Sequence, residues 1–261
     1  MTSLPFFQVD AFADRPLTGN PAAVIPLERW LDDATLQAIA EENNLSETAF
    51  TVPCDRDDAD YELRWFTPTD EVELCGHATL ASGHVLIHSD PVRFATRHAG
   101  ILTVTRRGDL LELDLPAPRL REVDEPELNR ALGVPEGPAW LADGCNDAAI
   151  IEVTDEASVL AVKPDYKALR NVPRMAVITA RGQEHDIVSR VFVPYLGIDE
   201  DPVTGSAHAA LTPYWANKLG RNQFSALQAS KRTGLLNCRL DGDRVLLGGR
   251  CHTVIAGQFQ L

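Results

Sequence analysis

The second half of this chain repeats the first. Arg64-Trp65-Phe66-Thr67-Pro68 returns as Arg190-Val191-Phe192-Val193-Pro194. Cys75-Gly76-His77-Ala78 returns as Thr204-Gly205-Ser206-Ala207, each time after an acidic loop. Gly100 to Gly108 and Gly234 to Gly242 each enclose a strand that runs into Gly-Asp, the start of a hairpin. The separations are 126 residues for Pro68 and Pro194, 129 for Gly76 and Gly205, and 134 for both later glycine pairs, in a chain of 261. Ordered matches at nearly one offset, close to half the length, predict two similar halves. Each is a β-rich layer wrapped around one central helix.

The pattern along the chain fits that plan. Residues 4–12 and 22–25 read as strands, with the turn Thr18-Gly19-Asn20-Pro21 between them. Asp32 or Asp33 can cap a helix through about Glu42, which Asn43-Asn44 stops. Residues 45–52 are extended and carry Ser46 and Glu47. As a strand this segment puts Glu47, Ala49 and Thr51 on one face and Thr48, Phe50 and Val52 on the other. The second face is the better core, so Glu47 faces a cleft or solvent, and the sequence leaves both open. His77 falls in the first turn of a buried helix. There, unpaired backbone N–H groups and the positive end of the macrodipole can hold an anion. The charged, proline-rich stretch 116–126 reads as the linker. The halves are then 1–117, with Glu47 and the Cys75-Gly76-His77 junction, and 118–261, with the Asp201-Gly205-Ser206 junction and a final strand able to return to the first half. Helices at 125–132 and 164–169 and strands at 148–153, 175–180 and 187–192 lead to the Gly205 helix, and four strands follow it.

A formal net charge of −14 argues against nucleic-acid and anionic-membrane partners, which need basic patches. No apolar run approaches the roughly 18 residues of a membrane span, and the N-terminus lacks the basic and apolar regions of a signal peptide. Five widely spaced cysteines (Cys54, Cys75, Cys145, Cys238, Cys251), with no CxxC, fit reduced thiols in a cytoplasm.

Several residues invite a chemical reading, and each has a plainer one. Asp201, Ser206 and His208 have the residue types of a hydrolase triad, but they are crowded together and the G-x-S-x-G elbow is absent. His77, His84 and His88 recur at spacings that could form a metal-binding face, but no acidic residue makes the HExxH pattern. Cys75 at a helix start could serve as a thiolate base, yet the second half has no matching cysteine at its own junction. Glu47 alone is one acid among 38.

Taken together, the motifs are more specific. Gly19-Asn20-Pro21-Ala22-Ala23-Val24, Asn43-Asn44-Leu45-Ser46-Glu47-Thr48-Ala49-Phe50, Phe66-Thr67-Pro68, Cys75-Gly76-His77-Ala78-Thr79 and Glu200-Asp201-Pro202-Val203-Thr204-Gly205-Ser206-Ala207 resemble, in order and spacing, the signatures of the PhzF family. These are phenazine-biosynthesis-like isomerases related in fold to diaminopimelate epimerase. The resemblance covers essentially the whole chain. It implies an α+β protein of two pseudo-symmetric halves, each a β-barrel-like sheet around a central helix, with the active site in the cleft between them. It further implies an enzyme that is commonly a homodimer, uses no cofactor and no metal, and acts on a small carboxylated substrate.

On that resemblance Glu47 is the proton shuttle, and His77 and Asp201 complete the catalytic set. Asn20, Ser46, Gly76, Thr204, Gly205 and Ser206 bind substrate. Glu47, His77 and Asp201 are expected to converge on one crevice. A single carboxylate can act as base and then acid if an apolar, closed site raises its pKa toward the working pH. The two thiols of a diaminopimelate epimerase are missing: Ala81 stands where the first belongs, and Pro202 or Asp201 replaces the second. The alternatives are a racemase using Cys75 and a non-catalytic dimeric binding protein of the same fold.

Overall fold

A computed structural model of the chain describes residues 2–88, 90–144 and 147–261. Cys145, counted among the thiols above, lies outside the described residues. The chain divides into two compact units, Met1–Asp114 with Gly248–Leu261, and Leu115–Leu247.

The first unit runs β1 (Ser3–Ala11), β2 (Asn20–Pro26), α1 (Asp33–Asn43), β3 (Glu47–Pro53), β4 (Tyr61–Phe66), β5 (Glu71–Val72), α2 (Gly76–Leu86), β6 (Val92–Ala95), β7 (Ile101–Arg107) and β8 (Leu110–Pro116), and it is completed by the C-terminal strand Cys251–Gln260. That last strand pairs antiparallel with β1, and β1 with β2. Then β2 and β3 are parallel, β3 and β4 antiparallel, β4 and β6 parallel, and β6 and β7 antiparallel. Each parallel step needs a crossover, and α1 and α2 supply them. Nine of the eleven residues of α2 are buried, as for a helix enclosed by sheet on all sides. Helix α1 covers the outer face of the sheet: its Leu36, Ile39 and Ala40 share a core with Phe50 and Val52 of β3. Strand β3 is therefore covered on both faces, which explains its nearly unbroken apolar run, and Glu47 lies on the α2 side.

The second unit repeats this plan with β9 (Leu120–Asp124), α3 (Pro126–Leu132), β10 (Pro138–Ala142), β11 (Ala148–Glu152), α4 (Glu156–Ala161), α5 (Tyr166–Leu169), β12 (Met175–Arg181), β13 (Ile187–Phe192), α6 (Gly205–Leu219), β14 (Gln223–Gln228), β15 (Gly234–Asp241) and β16 (Arg244–Gly249). Its pairings follow the same succession. β9 with β10 and β10 with β11 are antiparallel, and β11 with β12 parallel. β12 with β13 is antiparallel, β13 with β14 parallel, and β14 with β15 antiparallel. The central helix here is α6. The fold is thus α+β, built from two like units. Gly108 and Gly242, matched in sequence, have φ of 62° and 61°, the left-handed region that a tight turn demands and glycine adopts at little cost.

The repeated Arg-x-Phe also has a structural cause. Residues two apart on a strand share a face, so Arg64 lies over the Phe66 ring and Arg190 over the Phe192 ring, each 4.9 Å from the centroid. Each guanidinium then grips a glutamate of the acidic loop through two bonds, Arg64 to Glu71 at 2.7 Å and Arg190 to Glu200 at 2.8 and 2.9 Å. Each loop leads to its unit's helix junction. The same device pins both approaches.

One expectation fails. The stretch 116–126 is not merely a linker, because Leu120–Asp124 forms β9 and pairs with β10. Prolines flank this strand without interrupting it, so turn-like composition concealed a run whose backbone groups are taken up by a neighbour distant in sequence.

Candidate active site

Local structure brings four polar side chains together in the first unit. Gly19 has φ +69°, and a Cβ there would lie 2.3 Å from Ala11 O, so only glycine lets the chain reverse and start β2 at Asn20. Helix α1 ends at Asn44 in the left-handed conformation (φ 48°), which turns the chain through Ser46 into β3. The parallel register sets Glu47 opposite Ala22. His77 is the second residue of α2.

The contacts close into one network. Glu47 Oε2 is 3.1 Å from His77 Nε2. Asn20 Nδ2 is 3.3 Å and Cys75 Sγ 3.5 Å from His77 Nδ1. Ser46 Oγ donates to Asn20 Oδ1 at 3.1 Å or Pro21 O at 3.2 Å, and lies 3.5 Å from His77 Nε2. Asn20 and His77 are buried, whereas the Glu47 side chain is 17% exposed. Glu47 Oε2, although beside the imidazole, has no aligned hydrogen-bond donor among the described residues.

Burial pushes the Glu47 carboxyl up, but His77, helped by Ser46 and Cys75, outweighs it and holds the group below its ordinary value. The carboxyl is thus held low although the site is enclosed, because a potential cation lies against it. Burial would also keep the imidazole neutral. The Glu47 carboxylate opposes that and draws His77 above its ordinary value. The pair rests as carboxylate and imidazolium. The Cys75 thiol is pushed up, first by burial and then by the Glu47 charge, so it remains protonated.

A pH dependence of stability follows from these shifts. Glu47, lowered on folding, contributes above its ordinary value of 4.5, and loses this as pH falls through the lowered value. His77, raised on folding, contributes fully below its ordinary value of 6.5, and loses this as pH rises through the raised one. Urea unfolding of the chain and of Glu47→Gln should therefore differ most between pH 4.5 and 6.5, with the difference shrinking on both sides. A difference that grows steadily with pH would contradict the pairing.

Glu47, Cys75 and His77 also form the one group of possible metal donors among the described residues, with ligand atoms within 4.8 Å of one another. Both ring nitrogens are already engaged, Nε2 toward Glu47 and Nδ1 toward Asn20 and Cys75, so the imidazole has no lone pair to spare. The His77, His84, His88 face does not form: α2 ends at Leu86, before His88, and His84 Nε2 lies 3.0 Å from Thr253 Oγ1.

The second junction is built differently. Asp201 accepts from Thr204 Oγ1, and Gln228 locks the turn by accepting from Thr204 N at 2.8 Å and donating to Asp201 O at 2.8 Å. Gly205 and Ser206 then open α6. His208 turns Nδ1 to Thr204 O at 2.8 Å and Nε2 toward Ser189 Oγ at 3.5 Å. Buried there, it is pushed down to about 4 and stays neutral. The histidine thus serves Thr204 and Ser189, and the triad reading of Asp201, Ser206 and His208 fails. By pairing register, the position matching Glu47 is Met175, and the position matching His77 is Ser206. The second unit therefore repeats neither the carboxylate nor the imidazole at these two positions. Gln228 was missed in the sequence because a lone glutamine at a strand end carries no pattern.

A groove of about 850 Å³ in the second unit is lined by Trp140, Glu152, Tyr214 and Lys218 among others. Glu152 is already paired with the Tyr214 hydroxyl and the Lys218 ammonium. That pairing occupies the Glu152 carboxylate, while Glu136 and Lys163 also line the groove.

Comparison with known proteins gives a consistent result. The sequence profile of the PhzC-PhzF family, described as phenazine biosynthesis-like protein, matches residues 9–257. An uncharacterized isomerase of Pseudomonas aeruginosa is 51% identical over 99% of both chains. The human phenazine biosynthesis-like domain-containing protein is 38% identical over 97% of this chain and 98% of its own. The crystal structure of a PhzF family protein from Enterococcus faecalis superimposes with a TM-score of 0.90 at 42% identity, covering both chains fully.

Proposed function

Since the chain belongs to the phenazine biosynthesis-like PhzC-PhzF family, we propose that it is an isomerase or epimerase that moves a proton on a small carboxylated substrate, with Glu47 as base and then acid. The observation that carries this reading is the Glu47 carboxylate held 3.1 Å from the His77 ring at the start of a buried helix. Glu47 removes a proton from carbon, and its negative charge passes to the substrate. His77, charged throughout, offsets that charge both before and after the transfer. Glu47 then returns the proton to a different carbon, or to the other face of the same one, so that no atom is gained or lost. The first turn of α2 directs backbone N–H groups outward, where a substrate carboxylate can be held.

Asp201 as a further catalytic group, and Thr204, Gly205 and Ser206 as substrate contacts, enter the proposal on the resemblance alone. So does a homodimer working without a cofactor. Cys54, Cys75, Cys238 and Cys251 are free thiols, which supports a cytoplasmic location. No helix among the described residues is long and apolar enough to cross a membrane.

Incubating the protein with pools of small carboxylic acids in heavy water tests the reading, because deuterium uptake into one compound reports both activity and substrate. No uptake into any acid, although one of them binds, would favour the non-catalytic binding alternative. A thiol base is disfavoured by the raised Cys75. Cys75→Ala is expected to keep deuterium exchange with a shifted pH dependence, whereas loss of exchange by about 10²-fold or more would restore the cysteine mechanism.

A further inference from the structure

When His77 is titrated inside its buried site its hydrogen-bonding needs change, and the side chains around Nδ1 can meet both charge states. A neutral imidazole with its proton on Nε2 wants a donor at Nδ1, whereas the imidazolium wants an acceptor there. A carboxamide is a donor at one end and an acceptor at the other, in nearly the same shape. Asn20, fully buried, stands 3.3 Å from Nδ1. Its other end meets Ser46 Oγ at 3.1 Å, and Ser46 has a second acceptor, Pro21 O, at 3.2 Å.

We propose that Asn20 is a two-position hydrogen-bond partner that turns over with the charge of His77, with Ser46 and Pro21 O as the counterpart able to serve either position. In one position Nδ2–H donates to Nδ1, and Ser46 O–H donates to Oδ1. In the other, Oδ1 accepts from Nδ1–H, Nδ2–H donates to Ser46 Oγ, and the hydroxyl proton turns to Pro21 O. Each of these named bonds keeps one donor and one acceptor, and one amide rotates. The Cys75 thiol, 3.5 Å away, can likewise donate to Nδ1 or accept from it.

Other ionisable groups on the elements packed against α2 do not substitute for this arrangement. Glu47 on β3 faces Nε2. Asp10 on β1 accepts from Leu17 N at 2.7 Å. Arg106 on β7 and His252 on the C-terminal strand act on His84, about two turns along the helix. Arg107 pairs with Glu112, and the Cys251 thiol is pushed up to about 12 by burial. Strand β2, which carries Asn20, has no ionisable side chain of its own. Asn20 and Ser46 are then positioning residues for His77. The hydrogen-bond switch does not rest on the proposed function.

The sign of one shift decides the matter. Nitrogen-15 NMR of the histidines follows His77 through its titration without any substrate, so failure of the functional reading would leave this test intact. If Asn20 supplies an acceptor to the imidazolium, Asn20→Leu lowers the His77 pKa by about one unit or more. If Asn20 were a fixed donor it would favour the neutral ring, and the same substitution would raise the pKa. A rise, or no change, overturns the proposal. Should Asn20→Leu not fold, neutron diffraction from the unsubstituted protein on both sides of the titration gives the answer. Deuterons on the Asn20 atom facing Nδ1 at both pH values would equally overturn it.

Discussion

Glu47→Gln is expected to lose proton exchange between solvent and substrate by about 10²-fold or more, while ligand binding measured by calorimetry persists. The substitution preserves the shape of the side chain and its place at the start of β3, and it removes the one group in the network able to accept a proton from carbon. It also removes the negative charge 3.1 Å from His77 Nε2. Burial, the largest influence on that imidazole, is then less opposed, and His77 should fall in pKa. A lost base and a changed histidine are separable readouts, one from deuterium uptake and one from nitrogen-15 shifts. Full exchange by the variant would remove Glu47 from the mechanism, whatever happened to His77.

Arg190→Met is expected to destabilise the second unit by about 3 kcal/mol, the usual result of deleting one partner from a buried ion pair. The Arg190 side chain is 13% exposed and that of Glu200 is 19%, so water screens the pair only weakly. The guanidinium also donates to Val162 O at 2.9 Å, at the end of α4, and lies over the Phe192 ring. Removing it leaves a carboxylate and a carbonyl without that partner in a poorly solvated place. The double substitution Arg190→Met with Glu200→Leu should recover much of the loss, because the uncompensated charge goes with it. Equal urea midpoints for the protein and Arg190→Met would show the pair to be structurally idle. The matching Arg64 in the first unit bonds Asp33 as well as Glu71. Asp33 is 71% exposed, so that contact adds less than its distance suggests.

The doubled architecture was legible in the chain because its signals are local. A glycine needed at positive φ, a proline closing a strand and an Arg-x-Phe sharing one strand face each act over a few residues, and a recurrence near one offset exposes the repeat. A cap at Asp32 or Asp33, a stop at Asn43-Asn44 and the side alternation of β3 were readable for the same reason. Strand β9 was not, because its identity comes from a partner strand and its own composition resembles a turn. Sequence also could not say which face of β3 looks onto the central helix, since both faces are covered. Nor could it give the electrostatics. Motif resemblance named Glu47 and His77, but the direction of their shifts depends on an imidazole and a carboxylate 30 positions apart meeting at 3.1 Å. Asn20 reaches the same ring from 57 positions away. Short-range propensities and periodicity determine which elements form and how often the plan repeats. Charge state depends on distance through a low-dielectric interior, and only the packed chain sets those distances.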